Sequence, residues 1–101
     1  MEILVKGRHV KVTPALRGYV EKRLKRVGRY ASKGVKAAVT LWIEGFRHIA
    51  EISVWGQGVA LQAEGRTEGM YASIDKAAAR VTGQLTKHKE KVHRWRKEDV
   101  R

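Results

Sequence analysis

Three stretches in the middle of the chain alternate hydrophobic with polar residues, a pattern typical of half-buried β-strands. The alternation predicts strands over residues 38–44, 48–55 and 59–64, with a turn at 44–47. Gly56-Gln57-Gly58, between the last two strands, is a strong signal for a tight hairpin. We expect the inward-facing side chains to be Val39, Leu41, Ile43, Ala50, Ile52, Val54, Val59, Leu61 and Ala63.

Two other segments repeat hydrophobic residues every three or four positions, which predicts amphipathic helices. Thr13-Pro14 precedes the first helix, where threonine can cap free amide groups and proline suits the first helical position. This helix should end near Tyr30, and the second should begin near Glu68, after a loop over residues 65–69 that contains Thr67 as its cap. The apolar faces would be Leu16, Val20, Leu24 and Val27 in the first helix, and Ile74, Ala78, Val81, Leu85, His88 and Val92 in the second.

A short apolar strand over residues 2–5 completes the predicted order β-α-β-β-β-α. The first two strands and the helix between them form a crossover, so these strands should be parallel and the crossover right-handed. The later strands should form an antiparallel meander. Because both helices need one shared apolar surface, we expect an α+β two-layer sandwich with both helices on one face of a four-stranded sheet. Residues 1–95 would be a single domain and residues 96–101 a charged, frayed tail.

Positive charge is concentrated at the two ends of the chain. The net charge is +12, and it divides into +9 over residues 1–36, −3 over residues 37–75 and +6 over residues 76–101. Such an excess favours a polyanionic partner. The chain has no cysteine, and its longest apolar-rich run, residues 37–43, is too short to span a bilayer. We therefore expect a cytoplasmic protein without disulfides or a membrane partner.

The basic residues of both predicted helices also follow a three-and-four spacing, which places them on one side of each helix. At about 100° per residue, each group occupies about 100° of arc opposite the apolar face. Packed side by side, the helices would form one positively charged groove or ridge, suited to the phosphate backbone of a nucleic acid. The first basic stripe is Lys22, Lys25, Arg26 and Arg29; the second basic stripe is Lys76, Arg80, Lys87, Lys91 and Arg94.

The other face of the predicted sheet carries Trp42 and Trp55 together with Glu44, Glu51 and Glu64. Aromatic residues on an open sheet can stack on RNA bases, but three carboxylates would repel phosphates. We therefore interpret the two tryptophans as a cross-strand aromatic pair that shields the sheet. The partner should bind the helices instead.

The sequence contains no pattern typical of a catalytic or metal centre. His88 and His93 are five residues apart and point to different sides of a helix, and no metal-ligand spacing or nucleophile–base motif occurs. We therefore expect a binding protein and no enzyme, with no cofactor, metal ion or small-molecule substrate.

Two segments carry recognisable motifs: GRHVKVTPALRGYVEK (residues 7–22), and MYASID followed by QLTKHKEK (residues 70–75 and 84–91). They resemble the ribosome hibernation-promoting factor family, also called ribosome-associated inhibitor A or the ribosomal subunit interface protein. The resemblance implies a fold akin to double-stranded RNA-binding domains. It also implies a ribosome-associated protein that occupies the messenger and transfer RNA channel of the small subunit and inhibits translation in stress or stationary phase. We expect the isolated domain to be monomeric.

The resemblance further implies particular RNA contacts. On the first helix they are Lys22, Arg26 and Arg29; on the last helix they are Arg80, Lys87, His88, Lys89 and Lys91. Arg8 and His9 belong to the first motif as contacts or as residues that shape its turn. Asp75 matches a family acid, and its role is left open between one in the family's function and a structural one as a salt bridge or loop anchor. The chain could be a short form or the N-terminal domain of a long form. The alternative function is a general RNA- or DNA-binding module without ribosome specificity.

Overall fold

Strands and helices follow one another in the predicted order in the computed structural model, which describes the backbone of residues 1–99 and the side chains of residues 1–88. Thr13 Oγ1 accepts a hydrogen bond from the Leu16 N–H at 3.1 Å and caps the first helix, as predicted. A 3₁₀ turn, Gly28–Tyr30, continues this helix to the predicted end. The elements are β1 Glu2–Gly7, α1 Pro14–Val27, β2 Lys36–Glu44, β3 Arg47–Gly56, β4 Val59–Thr67 and α2 Met70–Asp99.

The strands form one mixed sheet in the order β1-β2-β3-β4. β1 is parallel to β2, with Val5 beside Val39, and the other two pairs are antiparallel. β3 and β4 are joined by the two-residue turn Gln57-Gly58, whose φ angles of 52° and 77° are both positive. Turns with two positive φ angles match the twist of the flanking strands. The predicted hairpin and the predicted α+β topology are confirmed.

Helices α1 and α2 bury their apolar sides on the same face of the sheet. Val20 and Leu24 of α1 and Ile74 and Val81 of α2 are fully buried. Each such side chain stabilises the fold by about 1.5–3 kcal/mol relative to an exposed position. The sheet contributes Ala37, Val39, Leu41, Ala50, Ile52, Val54 and Ala63 to this core.

Ile43 lies on the predicted inward face with Val39 and Leu41, but its side chain is 44% exposed. β1 ends at Gly7, which lies beside Leu41. Ile43 therefore extends beyond β1 and has a neighbouring strand only on the side of β3. The alternation of β2 is regular, but the shorter neighbouring strand leaves its last inward position open.

The predicted loop over residues 65–69 is wrong for its first three residues, because β4 continues to Thr67 and α2 begins at Met70. Gly65 is buried against α2, and a Cβ atom there would collide with the Ser73 carbonyl oxygen and lie 2.9 Å from the Ala77 nitrogen. The backbone of α2 therefore packs directly on β4 at this glycine. Thr67 does not cap the helix; its hydroxyl accepts from the Gly69 N–H and bonds the Ser73 hydroxyl at 2.7 Å.

The two tryptophans of the open sheet face do not form the predicted cross-strand pair. Trp42 lies beside Ile49, whereas Trp55 lies between Lys36 and Ala60 at the other end of the sheet. The alternation correctly placed both on the open face, but it did not specify the register that separates them.

Trp42 is nearly buried although no helix covers its side of the sheet. The Arg8 guanidinium stacks over its ring at 4.7 Å, and the indole Nε1 donates to Glu44 Oε1 at 3.1 Å. Arg66 bridges Glu44 and Glu64 at 3.4 Å each, and Ile49 is fully buried. Ion pairs and a cation–π contact thus close this half of the open face.

Replacing Gly65 with alanine should lower the free energy of unfolding by about 1–3 kcal/mol, because the methyl group forces α2 away from β4. Gly83→Ala is the matched control: Gly83 is exposed in α2 with nothing within 4 Å, and alanine there should raise stability by about 0.5–1 kcal/mol. Urea unfolding followed by circular dichroism measures both. Equal destabilisation by the two substitutions would contradict the close packing at Gly65.

Candidate nucleic-acid interface

The first basic stripe lies on the outer side of α1 and of the 3₁₀ turn that continues it, as predicted. Lys22, Lys25, Arg26 and Arg29 are all exposed, opposite Val20, Leu24 and Val27 in the core. Among the residues with described side chains, these four take part in no salt bridge. Their charges are therefore available to a ligand.

The second basic stripe follows the side of α2 that borders β4. Lys76, Arg80 and Lys87 are exposed, and Arg80 Nη1 donates to the Glu64 carbonyl oxygen at 2.7 Å. Arg80 thus has a structural contact with β4 in addition to the RNA contact predicted for it. The side chains of Lys89, Lys91 and Arg94 lie outside the described residues. The backbone of α2 continues to Asp99, so the first four residues of the tail predicted over residues 96–101 are helical, and residues 100–101 lie outside the described part of the chain.

The two basic stripes do not face each other across a groove. Tyr71 and Asp75, which lie on the side of α2 opposite Arg80, contact α1. The first stripe lies on the flank of the helical layer beside β1, and the second lies on the opposite flank beside β4. The predicted groove between the stripes is therefore wrong, and we use the name basic ridge for the helical layer with one basic stripe on each flank.

Asp75 connects the two helices at the centre of this ridge. Its Oδ1 accepts a hydrogen bond from the Tyr19 hydroxyl at 2.6 Å and lies 2.9 Å from Arg23 Nε. The Tyr19 ring also contacts the Tyr71 ring edge-on, with 4.9 Å between centroids. The salt-bridge interpretation of Asp75 is confirmed. Sequence reasoning missed Tyr19 and Arg23 as its partners, although their spacing of four places them on one side of α1.

The hydrogen bond from Tyr19 to Asp75 raises the pKa of the tyrosine hydroxyl above its ordinary value of 10.0, and burial and the negative charge of Asp75 act in the same direction. Removing the proton would destroy the donor and bring two negative charges together. The tyrosine is therefore protonated at physiological pH and donates this hydrogen bond from α1 to α2.

Three further residues of the two sequence motifs, His88, His9 and Arg8, lie outside the basic stripes. His88 is half-buried on α2, as expected for a packed residue, and His9 adopts a left-handed backbone with φ of 56° in the loop before α1. The Arg8 N–H donates to the Leu41 carbonyl oxygen at 2.8 Å while its side chain covers Trp42. Arg8 therefore shapes the turn and lies on the sheet side, away from the basic ridge.

Within the described part of the chain, no cluster of three or more His, Cys, Asp or Glu side chains is arranged to hold a metal ion. None of the described helices is long and apolar enough to cross a membrane. The candidate interface consists of the exposed cations of the two basic stripes and of the Asp75 contact that joins α1 and α2.

Comparison with known proteins links this architecture to ribosome-associated proteins. A family model described as Sigma 54 modulation protein / S30EA ribosomal protein matches residues 3–93. The ribosome hibernation promoting factor of Azotobacter vinelandii is 34% identical over 91 residues, covering 90% of this chain and 85% of that protein. The ribosome hibernation promotion factor of Bacillus subtilis is 32% identical, covering 93% of this chain but 51% of that protein. The crystal structure of the Thermus thermophilus Protein Y N-terminal domain matches with a TM-score of 0.81 and 36% identity, covering 87% of this chain and 99% of that one.

The stabilising effect of Tyr19 should disappear in alkali. Because its folded pKa is raised, its contribution to stability is fully present below the unfolded pKa of about 10 and is lost as pH rises through the folded value. The difference in free energy of unfolding between the wild type and Tyr19→Phe should therefore shrink above about pH 10. Urea unfolding of the wild type and of Tyr19→Phe between about pH 8 and about pH 11, the range in which tyrosine titrates, measures this difference. A difference that stays constant with pH would contradict the hydrogen bond.

Proposed function

Because the chain belongs to the Sigma 54 modulation protein / S30EA ribosomal protein family, we propose that its basic ridge binds ribosomal RNA of the small subunit, in the channel for messenger and transfer RNA. In this proposal the bound protein keeps ribosomes idle during stress or stationary phase and thereby inhibits translation. Residues 1–95 act as one ribosome-binding domain, as a monomer in the cytoplasm.

Ribosome hibernation is the role named in the similar proteins of Azotobacter vinelandii and Bacillus subtilis. Members of this family bind and regulate the ribosome and do not catalyse a reaction. The protein is accordingly a ribosome-associated hibernation factor, and no enzyme. The proposal adds the surface by which it binds and the site that it occupies.

The separation of charge between the two layers is the observation that carries the proposal. On the helical layer, the cations of the first basic stripe are exposed and outnumber the nearby Glu21. On the open sheet face, Glu44 and Glu64 are paired with Arg66, and Glu2 lies 3.6 Å from Lys36. A polyanion therefore gains most at the basic ridge, because the opposite face has largely neutralised its own charges.

Binding would be steric and electrostatic, with no bond made or broken. Lysine and arginine side chains that contact phosphates position a protein but read little base sequence. Specificity for the ribosome then comes from the shape of the RNA that can receive both stripes of the ridge at once. The contacts proposed for this surface are Lys22, Lys25, Arg26, Arg29, Lys76, Arg80, Lys87, His88, Lys89, Lys91 and Arg94.

Reversing two charges of the ridge should weaken ribosome binding far more than reversing two charges elsewhere. In Lys22→Glu/Arg26→Glu both residues are exposed, so the fold should persist while affinity for small subunits falls by about tenfold or more. The matched control Lys6→Glu/Arg47→Glu has the same net charge and alters exposed residues of the sheet layer. Sucrose-gradient cosedimentation with purified small subunits compares them.

Equal loss of binding in the two variants would mean that net charge alone attracts the protein to RNA, against the assigned surface. The same gradients with excess duplex RNA test the alternative of a general nucleic-acid module. A hibernation factor should stay with the small subunits at physiological salt, whereas a general module should move to the competitor.

Affinity for the small subunit should fall steeply with salt concentration. If about five to eight phosphates are contacted, the plot of log affinity against log salt should have a slope of about −4 to −7. Filter binding or cosedimentation at several potassium concentrations gives this slope. A nearly flat plot would show that shape or apolar contacts dominate, and that the basic ridge is not the main binding surface.

A further inference from the structure

The two outer edges of the sheet differ in how they are covered. On β4, the carbonyl oxygens of Gln62 and Glu64 point away from β3, and side chains of α2 bind both of them. Arg80 Nη1 donates to Glu64 at 2.7 Å and Gln84 Nε2 donates to Gln62 at 3.4 Å. The side chains of α2 thereby cover two of the outward carbonyl oxygens that another strand would need at this edge.

The β1 edge lacks such a cover among the described side chains. The Arg8 N–H donates to Leu41 of β2, so the backbone groups of the even-numbered residues point to β2. Backbone groups alternate along a strand, and those of Ile3 and Val5 therefore point outward. No described side chain forms a hydrogen bond with them. β1 thus presents donors and acceptors in the spacing of a strand.

A groove of about 860 Å³ runs beside this edge, between β1 and α1. Met1 and Ile3 form an apolar floor, and one acid, Glu21, lines it. The remaining wall is strongly basic, consisting of Lys22, Lys25, Arg26 and Arg29. The groove therefore combines a free strand edge with a cationic side.

We propose that an extended acidic segment of another protein binds along β1 as an additional strand. Successive side chains of a strand point to opposite faces, so every second residue of the segment lies beneath the α1 cations and should be acidic. The residues between them lie on the open sheet face beside Leu4, which is 62% exposed, and should be apolar. The partner is thus an alternating acidic–apolar segment.

Charge and backbone geometry favour this occupant over two others. A second copy of the chain would bring the same four cations against this groove and would be repelled, since each copy carries a net charge of +12. RNA phosphates suit the basic wall but leave the outward groups of Ile3 and Val5 without the ladder that a peptide supplies. The segment would compete with ribosomal RNA for the first basic stripe, a consequence that rests on the proposed function, whereas peptide binding itself does not.

The acidic peptide DVEVDVE, acetylated and amidated, is the probe, and fluorescence anisotropy with the full chain measures its affinity. The first control is the same peptide N-methylated at the alternate residues whose N–H groups would face β1, so that it lacks these main-chain donors. The second control is the peptide KVKVKVK, which reverses the charge. Both controls should bind at least about tenfold more weakly, and nuclear magnetic resonance should show the largest amide shifts at residues 3–5. Equal affinity of the N-methylated peptide would overturn strand addition.

The variant Val5→Pro removes an outward N–H without removing a bond to β2, a position where edge strands tolerate proline. Its peptide affinity should fall by about tenfold or more while its cosedimentation with small subunits is unchanged. If this variant does not fold, the N-methylated peptide still decides the question. If octauridylate shifts the amide signals of residues 3–5 and the acidic peptide does not, the groove binds RNA and the proposal is wrong. Failure of the wild type to bind small subunits would instead contradict the proposed function alone.

Discussion

Both helices bury their apolar sides against the same face of one sheet, and this shared core determines where the charges of the helices lie. Val20 and Leu24 from α1 meet Ile74 and Val81 from α2 above the central strands. Lysine and arginine residues that recur at three and four positions between these apolar residues then point away from the core, on the opposite side of each helix. The basic ridge is a consequence of core packing, and its position follows from the apolar pattern.

A polar contact joins the two basic helices where they pack side by side. Asp75 of α2 provides this contact, because it accepts from Tyr19 and pairs with Arg23 of α1. The carboxylate offsets the charge of Arg23 and adds a directional contact between the helices to the shared apolar core. A rigid spacing matters for a surface whose specificity depends on shape, since phosphate contacts alone carry little sequence information.

The sheet shows a similar division between closed and open regions. Arg8, Glu44 and Arg66 close the half of the open face that contains Trp42, and Arg80 occupies the free edge of β4. Several of the basic residues outside the first stripe thus have structural partners. Among the described residues, the outer side of α1 and the adjacent edge of β1 have no such partners, and these two regions carry the functional proposals.

The sequence by itself determined the element order, the two-layer architecture and the solvent-facing side of each helix, because hydrophobic periodicity is a local property that burial enforces. It also contained the motifs of the family, and these located the basic residues. It did not determine strand ends: the continuation of β4 through Gly65 depends on the backbone of α2 packing on that glycine. Nor did it determine register, so Trp42 and Trp55 share a face without being neighbours. The partners of Asp75, the ridge in place of a groove, and the open edge of β1 were decided only by the tertiary structure, since each depends on distances between segments far apart in the chain.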